Sequence, residues 1–461
     1  MGTYVFAQDF AWGDAQANAS RIIGYAREKR FGPQDTLVFS ASALAGFVNG
    51  RGLLAGNHAG LARALRKIAR DTKKAPPRLL LPALGKAGTD LYEIKAGQIL
   101  RLACKAVDGG LLLPPETSGL PFALVFRTEP FTGEDVRYRL SDAVIVDPTC
   151  YDAGEVFAGF CSVVRKGKRV ANYAAPETFF DVNATKVGTL EARARTLLAM
   201  QTGLKLFMRR FGFTDVTLGL SGGMDSAFVA ALAVKTLGPD RVHPVFMPGP
   251  YTTEASVADA RLLAENLGTE LAVAPIAPYF ESFLAGLGEG ILGAGLARQN
   301  IQARLRANIL MARSNADGSL VLATSNKSEA AVGYGTLYGD MAGGFNFIGD
   351  VFKTELYELA ASDAFLREAI PAGIFAKAPS AELAPNQKDS DDLPEYGLLD
   401  RILAQLVAGK ELEAVKKHFE ARTVDFIARR VARAHFKREQ SCQVLRLSPH
   451  PLSALSEKAF V

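Results

Sequence analysis

Cysteine and histidine are scarce in this chain, and each scarcity argues against a class of chemistry. The four cysteines among 461 residues, Cys104, Cys150, Cys161 and Cys442, are scattered and never form C-x-x-C. That argues against a disulfide scaffold and against a paired-cysteine metal or redox site. A reducing cytoplasm is the expected compartment. The five histidines, His58, His243, His418, His435 and His450, fall in no motif that calls for a base, so structural roles are expected for them. No stretch approaches the ~18 apolar residues of a membrane span. The first ten residues hold an early acid and lack the basic-then-apolar run of an export signal. No membrane association is expected. The formal net charge of +5 is spread without long blocks of one sign, which gives no argument for a nucleic-acid partner and suits small anionic substrates.

What is present is ordinary globular material, 48% hydrophobic and 22% charged, in a chain too long for one core. Two domains are expected, residues 1–185 and 186–461. The first reads as mixed α/β. An apolar strand from Thr3 to Gln8 precedes helix-forming Ala15 to Arg30, a Gly32-Pro33 break and a strand from Thr36 to Ser40. Short apolar runs follow at residues 78–84, 99–103, 122–126, 143–146 and 160–164. From Val187 the pattern becomes regular. Helices over 190–211, 224–237, 254–267 and 298–315 alternate with strands over 215–220, 242–246, 270–274 and 319–323. Such alternation predicts a doubly wound parallel sheet with right-handed crossovers and ligands beyond the strands' C-terminal ends. Residues 379–396, rich in Pro, Asp and Gln, must form a loop.

One strand of that series runs through Gly219 and Leu220 into Ser221-Gly222-Gly223-Met224-Asp225-Ser226 and then an Ala/Val-rich helix. Adjacent glycines let a ligand approach the backbone, and a helix N-terminus offers free N–H groups and a positive dipole end. Pyrophosphate fits such a turn. No Walker lysine is present. Asp225 beside phosphates calls for a cation between them, which points to Mg²⁺. A Gly-Gly pair alone also suits an ordinary strand-to-helix turn, whereas the whole string resembles the loop of the ATP pyrophosphatases.

Further segments narrow the resemblance. Residues 300–306 put Arg304 and Arg306 on one long helix. Residues 323–329 and 333–344 are rich in small polar groups and include Thr324, Glu329 and Asp340. Lys353 starts a helix, and Ser380 lies at the opening of the acidic loop. Together these segments are similar to the NAD synthetases over most of residues 187–440. The resemblance implies that the nicotinate carboxylate of deamido-NAD attacks the ATP α-phosphate and that ammonia then displaces AMP. It further implies that residues 219–226 cradle the ATP phosphates and that Asp225 and Glu329 hold Mg²⁺. Thr324 would meet AMP, Lys353 and Ser380 the departing phosphates, and Arg304, Asp340 and Lys437 the deamido-NAD. A homo-oligomer is implied as well, because relatives bind deamido-NAD at a subunit interface. Forming an adenylate needs no protein nucleophile, so positioning and charge neutralisation suffice. Leu337 and Gly344 depart from the ammonia-dependent members, and residues 336–344 look instead like the glutamine-dependent branch.

That branch fuses the ligase to a nitrilase-type amidase with a Glu, Lys and Cys. Residues 5–47 and 157–167 resemble the two ends of such a domain, yet Ser40-Ala41-Ser42 stands where its glutamate belongs and no cysteine follows Phe126. Lys105 is a candidate for the lysine. The expectation is a degenerate, shortened nitrilase-like sandwich, with nitrogen from free ammonia or a separate amidase. The alternatives are a retained or partner-supplied glutaminase and, further off, a tRNA-modifying pyrophosphatase.

Overall fold

The structure is a computed structural model that describes residues 2–6, 10, 14–45, 58–74, 77–85, 88–107, 110–127, 132, 140–146, 149–152, 154–158, 160–166, 168–174, 179–182, 190–287 and 295–455. It divides into two compact units, Met1–Thr202 and Gly203–Val461. The division falls inside the helix Ala192–Phe211, which the sequence places wholly in the second domain.

The first unit holds two six-stranded sheets. One runs in the order Phe179–Asp181, Thr3–Phe6, Thr36–Phe39, Arg78–Gly85, Gly88–Lys95, Gln98–Leu102; the other runs Lys168–Ala174, Phe160–Arg165, Ala143–Val146, Ala123–Arg127, Gly110–Leu113, Lys105–Val107. The strands Thr3–Phe6, Thr36–Phe39 and Arg78–Gly85 are parallel neighbours, buried on both faces, which is why they read as unbroken apolar runs. Val5, Val38 and Leu80 point inward to Leu124, Phe126 and Val144 of the other sheet. Their neighbours Phe6, Phe39 and Leu81 point outward to Ile22, Leu65 and Ile68 of the helices Ala15–Ala26 and His58–Asp71, following the period of two. The first helix starts at Asp14, whose carboxylate accepts from Gln16 and Ala17 N–H at 3.2 and 2.9 Å. This is a nitrilase-like α/β sandwich.

The second unit is built on a parallel sheet ordered Ala272–Val273, Val242–Phe246, Val216–Gly219, Leu320–Val321. Val216–Gly219 comes first in the chain yet lies inside the sheet, so the winding reverses there. Ligands bind at such a reversal in open α/β sheets, and residues 220–226 and 322–329 leave the sheet on either side of it. The helix Met224–Leu237 buries eleven residues, from Met224 to Thr236, which fits its nearly all-apolar composition. A helical layer made by Lys327–Val332, Tyr396–Val407 and Ala421–Arg433 shares a second core. The expected loop over 379–396 contains a single 3-10 turn, Asp389–Asp391, and yields to helix at Tyr396. Among the described residues no helix is long and apolar enough to cross a membrane.

Candidate active site

The turn after Val216–Gly219 is shaped by glycine. Gly222 has φ of +78°, and a Cβ there would lie 2.6 Å from the Ser256 carbonyl oxygen. Any side chain would therefore be strained and would push the turn off the helix Glu254–Leu267. Ser226 Oγ accepts from Ser221 N–H at 3.1 Å and lies 3.0 Å from Ser221 Oγ, which closes the loop on itself. Gly223 caps the next helix without a side chain, so the N–H groups of that first turn face outward for an anion.

Asp225, in that first turn, meets Lys353 directly. Lys353 is 4% exposed, and its Nζ pairs with Asp225 Oδ2 and lies 3.4 Å from Glu329 Oε1. Asn326 organises the carboxylates. Its Oδ1 caps the helix Lys327–Val332 by accepting from Glu329 N–H at 3.0 Å, and its Nδ2 donates to Asp225 Oδ1 at 2.8 Å. Lys353 N–H donates to Ser328 Oγ at 2.9 Å, while Asp400 accepts from Thr354 N–H and hydroxyl at 2.9 and 2.8 Å. The start of the Lys353 helix is thereby fastened to both neighbouring helices. The Tyr396 ring centroid lies 5.4 Å from Lys353 Nζ.

Burial, reinforced by Asp225, pushes Glu329 up to about 8 against the pull of Lys353. Burial draws Lys353 down, yet Asp225 and Glu329 hold it above its ordinary range. The two carboxylates around one lysine keep free oxygen donors, and release of the Glu329 proton leaves one negative charge in excess there, the chemistry a hard divalent cation selects. Among the described residues no group of three or more His, Cys, Asp or Glu forms a metal cage. A cation here would draw its remaining ligands from phosphate and water, as Mg²⁺ commonly does.

The other predicted residues gather elsewhere. Lys437 Nζ donates to the Gly333 and Gly335 carbonyls at 2.9 and 2.7 Å. Arg304 Nε donates to Leu337 O at 3.2 Å, and Asp340 accepts from Thr336 N–H at 2.7 Å. All three thus converge on residues 333–340. Thr324 is half-buried just beyond the strand Leu320–Val321. Gly344 is explained by packing, since a Cβ would meet Leu320 Cδ1 at 2.6 Å. Ser380 is exposed, and its printed bonds stay within its own loop, to Gln387 O at 2.6 Å and from Glu382 N–H at 3.1 Å. In this structure the loop holds Ser380 in its own turn instead of joining it to Lys353. Sequence reasoning missed Asn326, although an Asn three residues before Glu329 is an N-cap signal. It also missed Tyr334, Asp389 and Tyr396.

In the first unit, Ser40, Ala41 and Ser42 follow Thr36–Phe39 and are buried, with the two hydroxyls 3.2 Å apart. Residues 128–130 lie outside the described residues, as does the side chain of Cys150. Cys161 is fully buried in the sandwich core, and burial raises the Cys104 thiol. Lys105 is exposed on a strand at the sheet's edge.

The sequence profile of the NAD synthase family matches residues 196–441. The chain belongs to the NAD synthase family. It is 44% identical over 257 residues to the glutamine-dependent NAD(+) synthetase of Thermotoga maritima, covering 54% of this chain and 44% of that protein. With the enzyme of the same description from Aquifex aeolicus it shares 50% over 207 residues, covering 44% of this chain and 36% of that one. The aligned stretches therefore span less than half the length of these curated relatives. Two solved structures match nearly end to end. The glutamine-dependent NAD+ synthetase of Acinetobacter baumannii, in complex with ADP, gives a TM-score of 0.68 at 24% identity, covering 98% of this chain and 97% of that one. That of Cytophaga hutchinsonii gives 0.75 at 17%, covering 98% and 96%. At such identities the match shows the fold, including the nitrilase-like first unit. Relatives named for glutamine favour the glutamine-dependent branch over the free-ammonia expectation.

Proposed function

We propose that the second unit amidates the nicotinate carboxylate of deamido-NAD, cleaving ATP to AMP and pyrophosphate. The observation that carries this reading is Lys353 held between Asp225 and Glu329 beside the Ser221–Ser226 turn. In the first step the substrate carboxylate attacks the α-phosphorus and pyrophosphate leaves. In the second, ammonia adds to the acyl carbon and AMP departs. Residues 219–226 and Lys353 would hold the phosphates, with Ser380 joining after its loop moves, and Thr324 would meet the AMP moiety. Arg304, Asp340 and Lys437 would hold the dinucleotide. Mg²⁺ on Asp225 and Glu329 would neutralise charge on the phosphates.

The nitrogen is best read as glutamine-derived, in line with the relatives, but delivered to this chain as ammonia by a separate amidase. Ala41, where an amidase needs a carboxylate, supports that division of labour. Exposed Tyr279, Phe283, Leu296 and Met311 on the helices Ala277–Leu287 and Leu296–Asp317 supply an apolar face suited to the expected homo-oligomer.

Purified protein given deamido-NAD, ATP, Mg²⁺ and an ammonium salt should form NAD, AMP and pyrophosphate in equal amounts. Asp225→Asn should lower pyrophosphate release at least about 100-fold. Absence of AMP with all four components present would end this reading.

A further inference from the structure

The six-residue helix Lys327–Val332, which carries Glu329, is too short to hold its own place, so its tethers decide where that carboxylate sits. Each of the three residues before Glu329 is tied to a different part of the second unit. Asn326 reaches Asp225 in the phosphate turn, and Ser328 donates to Asp400 of the helix Tyr396–Val407. Lys327 is 2% exposed, and its Nζ donates to Asp350 Oδ1, Ser448 Oγ and the His450 carbonyl at 2.9, 2.8 and 2.9 Å. Three partners use all three hydrogens of the ammonium.

Asp350 is as fully engaged. Its Oδ1 also accepts from the Ser448 hydroxyl at 2.9 Å, and its Oδ2 accepts from Leu447 and Ser448 N–H at 2.7 Å each. Residues 443–450 reach this point as an added strand. Gln443–Val444 pairs in parallel with Phe345–Asn346, and Leu445 N–H donates to Asn346 O at 2.9 Å. The Lys327 ammonium also lies 4.9 Å from the centroid of the Phe352 ring, next in the chain to Lys353. One buried cation therefore joins the helix that bears Glu329, the segment that leads into Lys353, and the strap formed by residues 443–450. A buried ion pair often adds little net stability over an apolar pair of the same size, because desolvation offsets the attraction. What a saturated polar network does supply is a single geometry.

We propose that Lys327 and Asp350 are positioning residues for the magnesium site: held by the strap at residues 447–450, they set how Glu329 and Lys353 are placed against Asp225. Both act through those residues rather than by contact with phosphate or metal. The inference rests on the amidation reading and its assignment of Mg²⁺ to Asp225 and Glu329.

The test uses the full chain and α,β-methylene-ATP, which cannot be cleaved at the reacting bond, with its Kd measured by calorimetry in Mg²⁺ and in EDTA. Lys327→Met alone leaves Asp350 buried without its cation and should destabilise the fold. The double variant Lys327→Met, Asp350→Asn removes that stranded charge, and the amide oxygen still accepts from Leu447 and Ser448 N–H, so it should melt nearer to wild type. Its tightening of analogue binding by Mg²⁺ should nonetheless be at least about tenfold smaller than in wild type, with the Kd in EDTA unchanged. Ser448→Ala, which removes only the hydroxyl between Lys327 and Asp350, should move the Mg²⁺ response the same way with a melt close to wild type. A wild-type Mg²⁺ response in both the double variant and Ser448→Ala overturns the proposal. So does equal weakening in Mg²⁺ and in EDTA, which marks a general loosening of the fold. If wild type gains nothing from Mg²⁺, or Asp225→Asn keeps the whole gain, the magnesium assignment fails and the inference falls with it.

Discussion

Lys353 is held by more than charge. Its backbone is tied to Ser328, its neighbour Thr354 to Asp400, and its ammonium to two carboxylates. Replacing it by Met would leave Asp225 and Glu329 facing each other with only Asn326 between them. Breaking a buried pair costs about 3–5 kcal/mol, and because both carboxylates keep 16–17% side-chain exposure the lower end applies. Thermal melts of Lys353→Met in EDTA should show that loss, and Mg²⁺ should recover much of it by supplying the missing cation, while activity stays at least about 100-fold down. A melt insensitive to Mg²⁺ would argue against a cation site there. Glu329 gives a pH test. Its carboxyl is raised from 4.5 to about 8, so the folded protein keeps a proton that the unfolded chain releases. That contribution to stability is full below pH 4.5 and is lost as pH rises through about 8. In Mg²⁺-free urea denaturation, Glu329→Gln should lack this slope, so the variant gains on wild type as pH climbs. Parallel pH profiles would mean that Glu329 titrates as a free carboxylate.

At the scale of elements, the segment from Lys377 to Asp389 is latched next to the phosphate turn. Glu382 accepts from the Ser256 and Thr253 hydroxyls at 2.7 and 2.9 Å, and Lys377 donates to Ser256 Oγ at 2.9 Å and Asp259 at 3.1 Å. A carboxylate therefore occupies the positive end of the helix Glu254–Leu267, and the Ser256 carbonyl is what Gly222 packs against. Glu382 also sits at φ of +48°, a conformation costing a side-chain-bearing residue about 1 kcal/mol or more. Glu382→Gly removes both strain and latch, so limited proteolysis of nucleotide-free protein should cut this loop faster than in wild type; equal rates would show that the latch does not hold it. The latch was not legible beforehand, because Glu382 and Ser256 meet only after the chain folds. The helices Met224–Leu237 and Glu254–Leu267 and the strand Val242–Phe246 were legible to the residue, since glycine stops and strong periodicity bound them. Gln98–Leu102 lies within a residue of the run expected at 99–103, although four of its five positions are exposed, and Gly88–Lys95 escaped because an antiparallel strand with one polar face carries no apolar run. Asp225, Glu329 and Lys353 could be read as motif residues. Asp389 and Tyr396 could not, because only the path of the loop brings them to the lysine.

The whole molecule joins a unit of the NAD synthase family, in which Lys353 meets Asp225 and Glu329, to a nitrilase-like sandwich in which Ala41 stands between two buried serines. Glutamine hydrolysis on such a fold needs a thiolate and a base poised to make it. Ala41 lies between two buried serines, where the resemblance to a nitrilase-type domain leads one to expect the base. Cys161 is sealed in the apolar core between the sheets, and burial raises Cys104, which disfavours its thiolate. The fold can persist without the activity, because its stability comes from the interleaved Val5, Val38, Leu80, Leu124 and Phe126 rather than from any site residue. Purified chain should therefore make NAD briskly from ammonium chloride and at less than about 1% of that rate from glutamine alone. Adding an unrelated glutaminase should restore glutamine use, since the acceptor site needs only ammonia. A variant with Cys104, Cys150 and Cys161 all changed to Ser should behave like wild type in every arm. Rapid use of glutamine by the unaided chain, abolished in that variant, would place a working amidase in the sandwich and require its base to come from residues other than Ala41.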